Sequence, residues 1–255
     1  MTTASMFSLQ GKTALVTGAT FGIGQAISKA FAEAGALVVG VGSSGQFSET
    51  ASLVSRAGQP FYGITADLGS GQGVDYVVSE TRRLVGSIDI LVNNAGIIHR
   101  APCIDALEAD WENVMNVNLK APFRLAQAAA RDLLENAKPG KIINICSMLS
   151  FQGGVLVASY NASKSALAGV TKALANEWAG HGINVNAIAP GYIRGRGNVA
   201  LREDPHRNRQ ILERIPAGRW GEPDDLAGMA VFLASKASDY CHGGIYPVDG
   251  GWLGR

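Results

Sequence analysis

Short apolar runs recur along the chain and are separated by stretches with helical spacing. The runs are rich in Val and Ile without polar alternation, which is typical of parallel strands buried on both faces. Seven such runs lie at 13–17, 36–41, 60–64, 88–92, 141–145, 183–188 and 244–248. Between the first two runs, Ile23, Ile27 and Phe31 recur at steps of four, as on one face of a helix. This alternation predicts right-handed crossovers and an open parallel sheet with helices on both faces.

No linker, fixed-period repeat or low-complexity tract interrupts the alternation. We therefore expect one α/β domain over residues 1–255, with a doubly wound sheet of seven parallel strands. One segment breaks the rhythm, because residues 191–216 are polar, rich in Arg and follow the sixth predicted strand. Ligands of such sheets bind outside the carboxyl ends of the strands. We expect the 191–216 segment to be an insertion that covers a substrate.

Charge and cysteine content exclude several classes of protein. The chain has 22 Lys+Arg against 21 Asp+Glu and no basic block, so nothing predicts binding to nucleic acid or an anionic membrane. Cys103, Cys146 and Cys241 are odd in number and widely spaced, which argues against a disulfide framework. The four His residues lack the spacing of a metal site. With no apolar leader and no uninterrupted apolar span, the sequence predicts a cytoplasmic protein.

Three glycines follow the first predicted strand and open the first predicted helix. They are Gly18, Gly22 and Gly24, within the run 17–24. Glycines at this place let a diphosphate approach the backbone N–H groups at the positive end of a helix. An ordinary Gly-rich turn is the alternative, but the position between strand and helix favours dinucleotide binding.

A tyrosine and a lysine stand four residues apart and would share one helical face. A free tyrosine titrates near pH 10, so it is a weak base at neutral pH. An ammonium beside it favours the phenolate, which would bring Tyr160 towards the range useful for acid–base catalysis if Lys164 lies next to it. Alone, the pair could equally be an amphipathic tyrosine and a solvated charge.

Four motifs in order resemble the short-chain dehydrogenase/reductase superfamily. They are Gly-x3-Gly-x-Gly from Gly18, Asn93-Asn94-Ala95-Gly96, Ser147, and Tyr160-x3-Lys164. The resemblance extends from about Gly11 to Gly251 and implies a Rossmann-type fold that uses NAD or NADP.

The resemblance also implies roles for individual side chains. Tyr160 would be the catalytic acid/base, and Lys164 would lower its pKa and hold the nicotinamide ribose. Ser147 would bind the reacting carbonyl oxygen. Asn118 matches the asparagine that anchors a proton-relay water, with Asn116 as the nearby competitor.

Dinucleotide contacts are implied along most of the predicted sheet edge. The expected residues are Gly18, Thr20, Phe21, Gly22, Ile23, Gly24, Ser43, Asp67, Leu68, Asn94, Ala95, Gly96, Tyr160, Lys164, Pro190, Gly191 and Ile193. Asp67 would contact the adenine amino group, although it could instead cap a helix that begins near Ser70. Asn93 and Ala95 would approach the adenosine ribose. The second predicted strand ends at Ser43 with neither an acid nor a base, and residues 13–23 carry no Lys or Arg, so we expect NAD, with NADP left open.

The stretches 141–154, 175–178, 214–221 and 248–253 are similar to the 2-deoxy-D-gluconate 3-dehydrogenase branch, also called 2-dehydro-3-deoxy-D-gluconate 5-dehydrogenase. This similarity implies interconversion of a secondary hydroxyl and a ketone on a sugar acid. A carboxylate needs a cation, and the candidates for substrate contact are Ser147, Tyr160, His99, Arg100, Arg194, Arg196 and, for a hydroxyl, Gln152. Solvated loop charges are the alternative. The run Arg194-Gly195-Arg196-Gly197 departs from the branch, which often carries Thr there.

Two other functions fit the same motifs less well. One is an NADPH-dependent reductase of another ketone, carrier-bound, polyol or lipid; the other is a non-catalytic dinucleotide sensor. The resemblance also implies a homotetramer, assembled through helices around residues 113–135 and 160–179 and through the last strand. The apolar Trp252 and Leu253 in the tail favour a partner surface.

Overall fold

Seven parallel strands form one sheet in the computed structural model, which describes residues 2–255. Their bounds are β1 Thr13–Thr17, β2 Leu37–Gly42, β3 Phe61–Thr65, β4 Ile90–Asn93, β5 Gly140–Ile145, β6 Ile183–Pro190 and β7 Ile245–Val248. The order is β3-β2-β1-β4-β5-β6-β7, and every neighbouring pair is parallel. The predicted doubly wound sheet is thus confirmed. Strand β4 begins at Ile90, two residues later than expected, and the carboxylate of Asp89 just before it accepts from the Thr13 backbone N–H at 2.9 Å and pairs with Lys12 at 3.0 Å.

Helices cover both faces of the sheet. They are α1 Thr3–Met6, α2 Gly22–Glu33, α3 Ser48–Arg56, α4 Gly71–Val85, α5 Glu108–Met115, α6 Ala121–Glu135, α7 Ala158–Trp178, α8 Val199–Glu203, α9 Pro205–Arg214 and α10 Ala227–Ala234. Along β1, Val16 packs into one core with Ile27 and Phe31, whereas Leu15 packs into the core on the other face with Leu125. A fully buried Phe31 stabilises the fold by about 3 to 5 kcal/mol relative to Ala.

The strand order reverses between β1 and β4, and this reversal opens a crevice at the carboxyl ends of the strands. The turns after β1, β4, β5 and β6 meet at this edge. They carry Gly18, Asn94, Ser147 and Gly191 respectively, so residues far apart in sequence converge on one site.

The 191–216 segment follows β6 and contains α8 and α9. Helix α9 begins at Pro205, and the Asp204 carboxylate caps it by accepting from the backbone N–H groups of His206 and Arg207 at 2.9 and 3.1 Å. Across residues 2–255, no helix combines the length and apolar character that crossing a bilayer requires.

Candidate active site

The glycine-rich turn has the backbone that a diphosphate cradle needs. Gly18 and Gly22 adopt φ of +67° and +62°, which disfavours any residue with a Cβ. A Cβ on Gly24 would collide with the Gly18 carbonyl, whereas the space beside Gly22 is open. Phe21 precedes the first turn of α2, and its side chain makes no capping hydrogen bond. The N–H groups at this helix end therefore lie beside open space at the positive end of the helix dipole, which fits a dinucleotide diphosphate.

Asn94 and Thr17 hold the turn in place. The Asn94 side-chain amide donates to the carbonyls of Thr17 and Gly18 at 2.9 and 3.2 Å. The Thr17 hydroxyl donates to Val92 and accepts from the N–H groups of Asn94 and Ala95 at 2.9 and 3.0 Å. Asn94 thus fixes the backbone of the glycine-rich turn through its side chain.

The expectation for Asn93 was wrong with respect to its side chain. This side chain is 1% exposed and donates to the Asn144 Oδ1 at 2.9 Å and to the Pro122 carbonyl at 3.2 Å. It lies inside the sheet layer and cannot reach a ribose, because the last residue of a buried strand alternates its side chain away from the crevice.

Residues on the adenine side of the crevice lie at the ends of β2 and β3. Ser43 is exposed just after β2, and Leu68 is buried after β3. Asp67 is exposed, and its carboxylate accepts from the Gly69 N–H at 2.9 Å. Ser70, not Asp67, caps α4 by accepting from the Gly73 N–H at 3.0 Å. The Asp67 carboxylate therefore keeps an acceptor for a ligand.

At the end of β6, the backbone approaches the last strand closely. A Cβ on Gly191 would stand 2.7 Å from the Asp249 Cα, so glycine is needed there. Pro190 ends β6, and Ile193 is buried and bridges to Gly221. A Cβ on Gly42, at the end of β2, would stand only 2.5 Å from the Thr20 methyl, so Thr20 lies close against the Gly42 backbone.

The Tyr160 and Lys164 side chains lie on one face of α7. The Lys164 Nζ stands 5.7 Å from the centroid of the Tyr160 ring and donates to the Ile145 carbonyl at 2.7 Å. Ser147, at the end of β5, caps a short turn by accepting from the Leu149 N–H at 3.1 Å. Three chemically suitable groups thus meet at one point of the crevice.

The Tyr160 pKa is raised overall, so the expected net lowering was wrong. Burial raises the pKa of the Tyr160 phenol, and this effect outweighs the hydrogen bond with Ser147 and the positive charge of Arg100, which both lower it. Burial also lowers the pKa of Lys164 to about 8. The pair is desolvated, so neither charged form is favoured as strongly as on an exposed helix.

Asn118 occupies a π-helical turn, Asn116–Lys120, between α5 and α6. Its fully buried amide pairs with the backbone of Ile97, accepting from the N–H at 2.8 Å and donating to the carbonyl at 2.9 Å, and it donates to the Ser163 hydroxyl at 3.1 Å. A Cβ on Gly96 would lie 3.3 Å from the Asn118 Oδ1 and 3.5 Å from the Lys164 Nζ. These contacts bring Asn118 into the site.

The predicted substrate cations separate into two groups. Arg194 pairs with Glu222 at 3.1 Å and the His99 Nδ1 lies 3.3 Å from Asp110, so each already faces a carboxylate. Arg100 donates to the Gly197 carbonyl at 3.3 Å, and its charge acts on Tyr160. Of these three residues, only Arg100 has no carboxylate partner within residues 2–255, whereas Arg194 forms an ion pair within the chain.

Gln152 and the tail form a group that the sequence did not reveal. Arg214, at the end of α9, donates to the Gln152 Oε1 at 3.2 Å and stacks over the Trp252 ring with its Cζ 4.0 Å from the centroid. Trp252 contacts Tyr192 edge-on at 4.8 Å between centroids, and Tyr192 contacts Trp220 at 5.1 Å. Trp252 is thus buried within its own chain at 5% exposure, and its expected role as a partner surface was wrong.

Tyr192 lies near three guanidinium groups. Burial raises the pKa of its phenol, and the charges of Arg207, Arg214 and Arg100 act in the opposite direction. Arg207 and Arg214 project from α9 and were missed because their distance in sequence from Ser147 gives no signal. The Arg spacing of seven in a polar segment was the available hint.

The sequence and the fold both match known proteins. The profile described as enoyl-(acyl carrier protein) reductase matches residues 18–253. A 2-dehydro-3-deoxy-D-gluconate 5-dehydrogenase from Bacillus subtilis (strain 168) is 55% identical over 249 residues, covering 98% of this chain and 97% of that protein. A crystal structure from Agrobacterium tumefaciens with bound NADP is 52% identical with a TM-score of 0.93, covering 98% of this chain and 99% of that one.

A gluconate 5-dehydrogenase from Burkholderia cenocepacia J2315, in complex with NADP and tartrate, is 39% identical with a TM-score of 0.94, and each chain covers 100% of the other. With the glycine-rich cradle and the Ser147, Tyr160 and Lys164 group in one crevice, the chain belongs to the short-chain dehydrogenase/reductase family of NAD(P)-dependent oxidoreductases.

Proposed function

We propose that this enzyme interconverts a secondary hydroxyl and a ketone on a sugar acid of the 2-dehydro-3-deoxy-D-gluconate type. The observation that carries the proposal is a group of three guanidiniums near two buried or half-buried phenols at this edge of the sheet, Tyr160 and Tyr192. The charge of Arg100 acts on both Tyr160 and Tyr192, and the charges of Arg207 and Arg214 act on Tyr192. A carboxylate is the natural ligand of such a group.

The charges of these three arginines are available to a ligand. Each guanidinium is hydrogen-bonded to a neutral acceptor: Arg100 to the Gly197 carbonyl, Arg207 to the Gln210 side chain at 2.7 Å, and Arg214 to the Gln152 side chain. Within residues 2–255, none of the three forms an ion pair with a carboxylate. The substrate carboxylate would supply the missing negative charge.

Gln152 is oriented for a hydroxyl or a carbonyl oxygen. A guanidinium has only hydrogen-bond donors, so the end of the Gln152 amide that faces Arg214 must be its oxygen. The Gln152 NH2 group must then point elsewhere, and its donors are free for substrate oxygen atoms. This supports the role that the sequence suggested for Gln152.

In the proposed mechanism, Tyr160 moves one proton and Ser147 stabilises the oxygen to which it moves. Tyr160 donates its phenolic proton to the carbonyl oxygen during reduction and takes the hydroxyl proton during oxidation. The Ser147 hydroxyl donates to the same oxygen as charge develops there. Lys164 stabilises the phenolate that reduction leaves behind. Hydride transfer is the chemistry that a nicotinamide held by these residues would supply. Asn118 would hold the water through which the Tyr160 proton is replaced.

The cofactor is proposed to be NAD in preference to NADP. The residues proposed to hold it are those of the glycine-rich cradle, with Asp67 at the adenine, Ile193 at the nicotinamide, and Lys164 at its ribose. Thr20 and Ser43 near the end of β2 are neutral, so a 2′-phosphate would gain no ion pair there. The NADP in the related crystal structures supports use of either form, and the ratio of kcat/KM for the two cofactors measures the preference.

Further proposals concern the assembly and the 191–216 segment. Exposed apolar side chains Leu107, Trp111 and Phe123 next to or on α5 and α6 support a homotetramer that buries them. Light scattering after size exclusion would test this assembly, and a monomer would contradict it.

We propose that the 191–216 segment is a substrate lid on a single catalytic domain, and that the protein is cytoplasmic.

The experiment that tests the substrate compares matched ligands. Initial rates of NAD and NADP reduction are measured with sugar acids and with polyols in which a hydroxymethyl group replaces the carboxylate. We expect kcat/KM to be about 100-fold or more higher for the acid of each pair, because the polyol leaves the arginines unpaired. Equal rates within the pairs would overturn the sugar-acid assignment, and turnover of carrier-bound ketones alone would favour the reductase alternative. Dinucleotide binding without turnover across the panel would favour a sensor.

A further inference from the structure

Arg196, in the 191–216 segment, contacts the glycine-rich turn on the far side of the crevice. Its guanidinium lies over the Phe21 ring, with the Cζ 4.1 Å from the ring centroid. Phe21 is 43% exposed and immediately precedes α2. A segment that follows β6 therefore reaches the turn that follows β1, and a cation–π contact holds the two together.

The turn that Arg196 reaches has no cation of its own. Residues 13–23 contain no Lys or Arg, although the helix start and the open space beside Gly22 fit a diphosphate. A positive side chain near this diphosphate position has to come from another part of the chain. The contact with Phe21 brings Arg196 to the edge of that position.

The neighbouring arginines of the segment are engaged elsewhere. Arg194 pairs with Glu222 at 3.1 Å, and Arg202 donates to the Asn198 Oδ1 at 3.3 Å. Arg196 has no carboxylate partner in the part of the chain that the structure describes. Its guanidinium is held by an aromatic ring that leaves its N–H donors free.

The backbone around Arg196 is fixed rather than loose. The Asn198 side chain accepts from the Gly195 N–H at 3.1 Å and donates to the Ile193 carbonyl at 2.6 Å. These bonds close a tight loop with Arg196 at its tip. A positioned guanidinium loses less side-chain entropy on binding an anion than a solvated one.

We propose that Arg196 is a cofactor-binding residue, whose guanidinium is held by Phe21 and pairs with the diphosphate of the bound dinucleotide. The inference rests on the proposed dinucleotide-dependent function. This role accounts for the run at 194–197, where the related branch often carries Thr. A Thr hydroxyl would give the diphosphate only a neutral hydrogen bond, whereas Arg196 would give it a charge–charge contact. Arg196 thus belongs to the cofactor side of the crevice, not to the substrate carboxylate.

Direct binding of ADP-ribose tests the proposal without turnover. Titration calorimetry is done on the wild type, Arg196→Ala, Phe21→Leu and Arg209→Ala. The last is a matched control, because Arg209 is exposed on α9 and its removal changes the net charge equally. We expect the dissociation constant to rise about tenfold or more in Arg196→Ala, about threefold in Phe21→Leu, and less than about twofold in Arg209→Ala. The affinity of the wild type should also fall more steeply with salt than that of Arg196→Ala.

The outcomes separate this proposal from the one on which it rests. Wild-type and Arg196→Ala proteins that bind ADP-ribose equally would overturn the role of Arg196 and leave dinucleotide binding intact. A wild type that does not bind ADP-ribose would overturn dinucleotide binding itself. Thermal unfolding of each variant checks that the exposed substitutions leave the fold unchanged.

Discussion

The Lys164 ammonium lies 5.7 Å from the centroid of the Tyr160 ring, and its Nζ donates to the Ile145 carbonyl at 2.7 Å. The lysine is therefore held by the end of β5 rather than by the phenol. Lys164 is buried and Tyr160 is half-buried, and this loss of water raises the pKa of Tyr160 and lowers that of Lys164 to about 8. At neutral pH the pair consists of a phenol and an ammonium, the state that donates a proton to a ketone.

Replacing Tyr160 with Phe removes the only atom that moves the proton in the proposed mechanism. We expect kcat to fall by about 100- to 10,000-fold, the usual contribution of a general acid or base. The affinity for NADH, measured by fluorescence titration, should change little because the ring remains. Turnover near the wild-type rate would contradict the assignment of Tyr160.

The direction of the reaction should determine its pH dependence. Oxidation needs the phenolate, and the raised Tyr160 pKa keeps the phenolate fraction small, so kcat/KM for oxidation should rise about tenfold per pH unit from about pH 6 to 8. Above about pH 8, Lys164 loses its charge. The rise in kcat/KM for oxidation should then flatten, and kcat/KM for reduction should decline. Initial rates in both directions across this range provide the measurement.

Lys164→Met is the control for the pH profile. This variant has no ammonium to titrate, so its lower rates should show no break near pH 8. Oxidation rates that fall between pH 6 and 8 in the wild type would contradict the assigned ionisation states.

The fold could be predicted almost completely from the chain, because buried parallel strands and amphipathic helices have distinct periods. Ile27 and Phe31 occur at helical spacing and lie in the core as expected. Local motifs also predicted which residues lie at the edge of the sheet. Gly18 and Ser147 each belong to a turn that directly follows a strand, so their positions follow from the position of that strand.

Contacts between distant segments could not be predicted. Nothing in the sequence links Arg214 to Trp252 or Arg196 to Phe21, because no period or spacing connects separate elements. The Tyr160 pKa was also mispredicted, since spacing on a helix gives the distance to Lys164 but not the loss of water around both groups. Burial is a property of the packed chain as a whole.

Asn118→Ala should destabilise the fold as well as the site. The Asn118 amide is the hydrogen-bond partner of both the N–H and the carbonyl of Ile97, and these groups would be left unpaired. We expect the free energy of unfolding, measured in urea, to fall by about 2 to 4 kcal/mol. Asn116→Ala is the matched control, with an expected change within about 0.5 kcal/mol, and an equal loss in both variants would argue against a special role for Asn118.

Arg214→Ala tests whether the group at the end of α9 recognises the carboxylate. The KM for a sugar acid should rise about 10- to 100-fold, because a charge-assisted contact is lost and Gln152 loses the donor that orients it. The rate with the matched neutral polyol should stay within about twofold of the wild type, and Arg209→Ala should leave both substrates unaffected. A similar loss with acid and polyol would mean that Arg214 serves the structure through Trp252 and not the carboxylate.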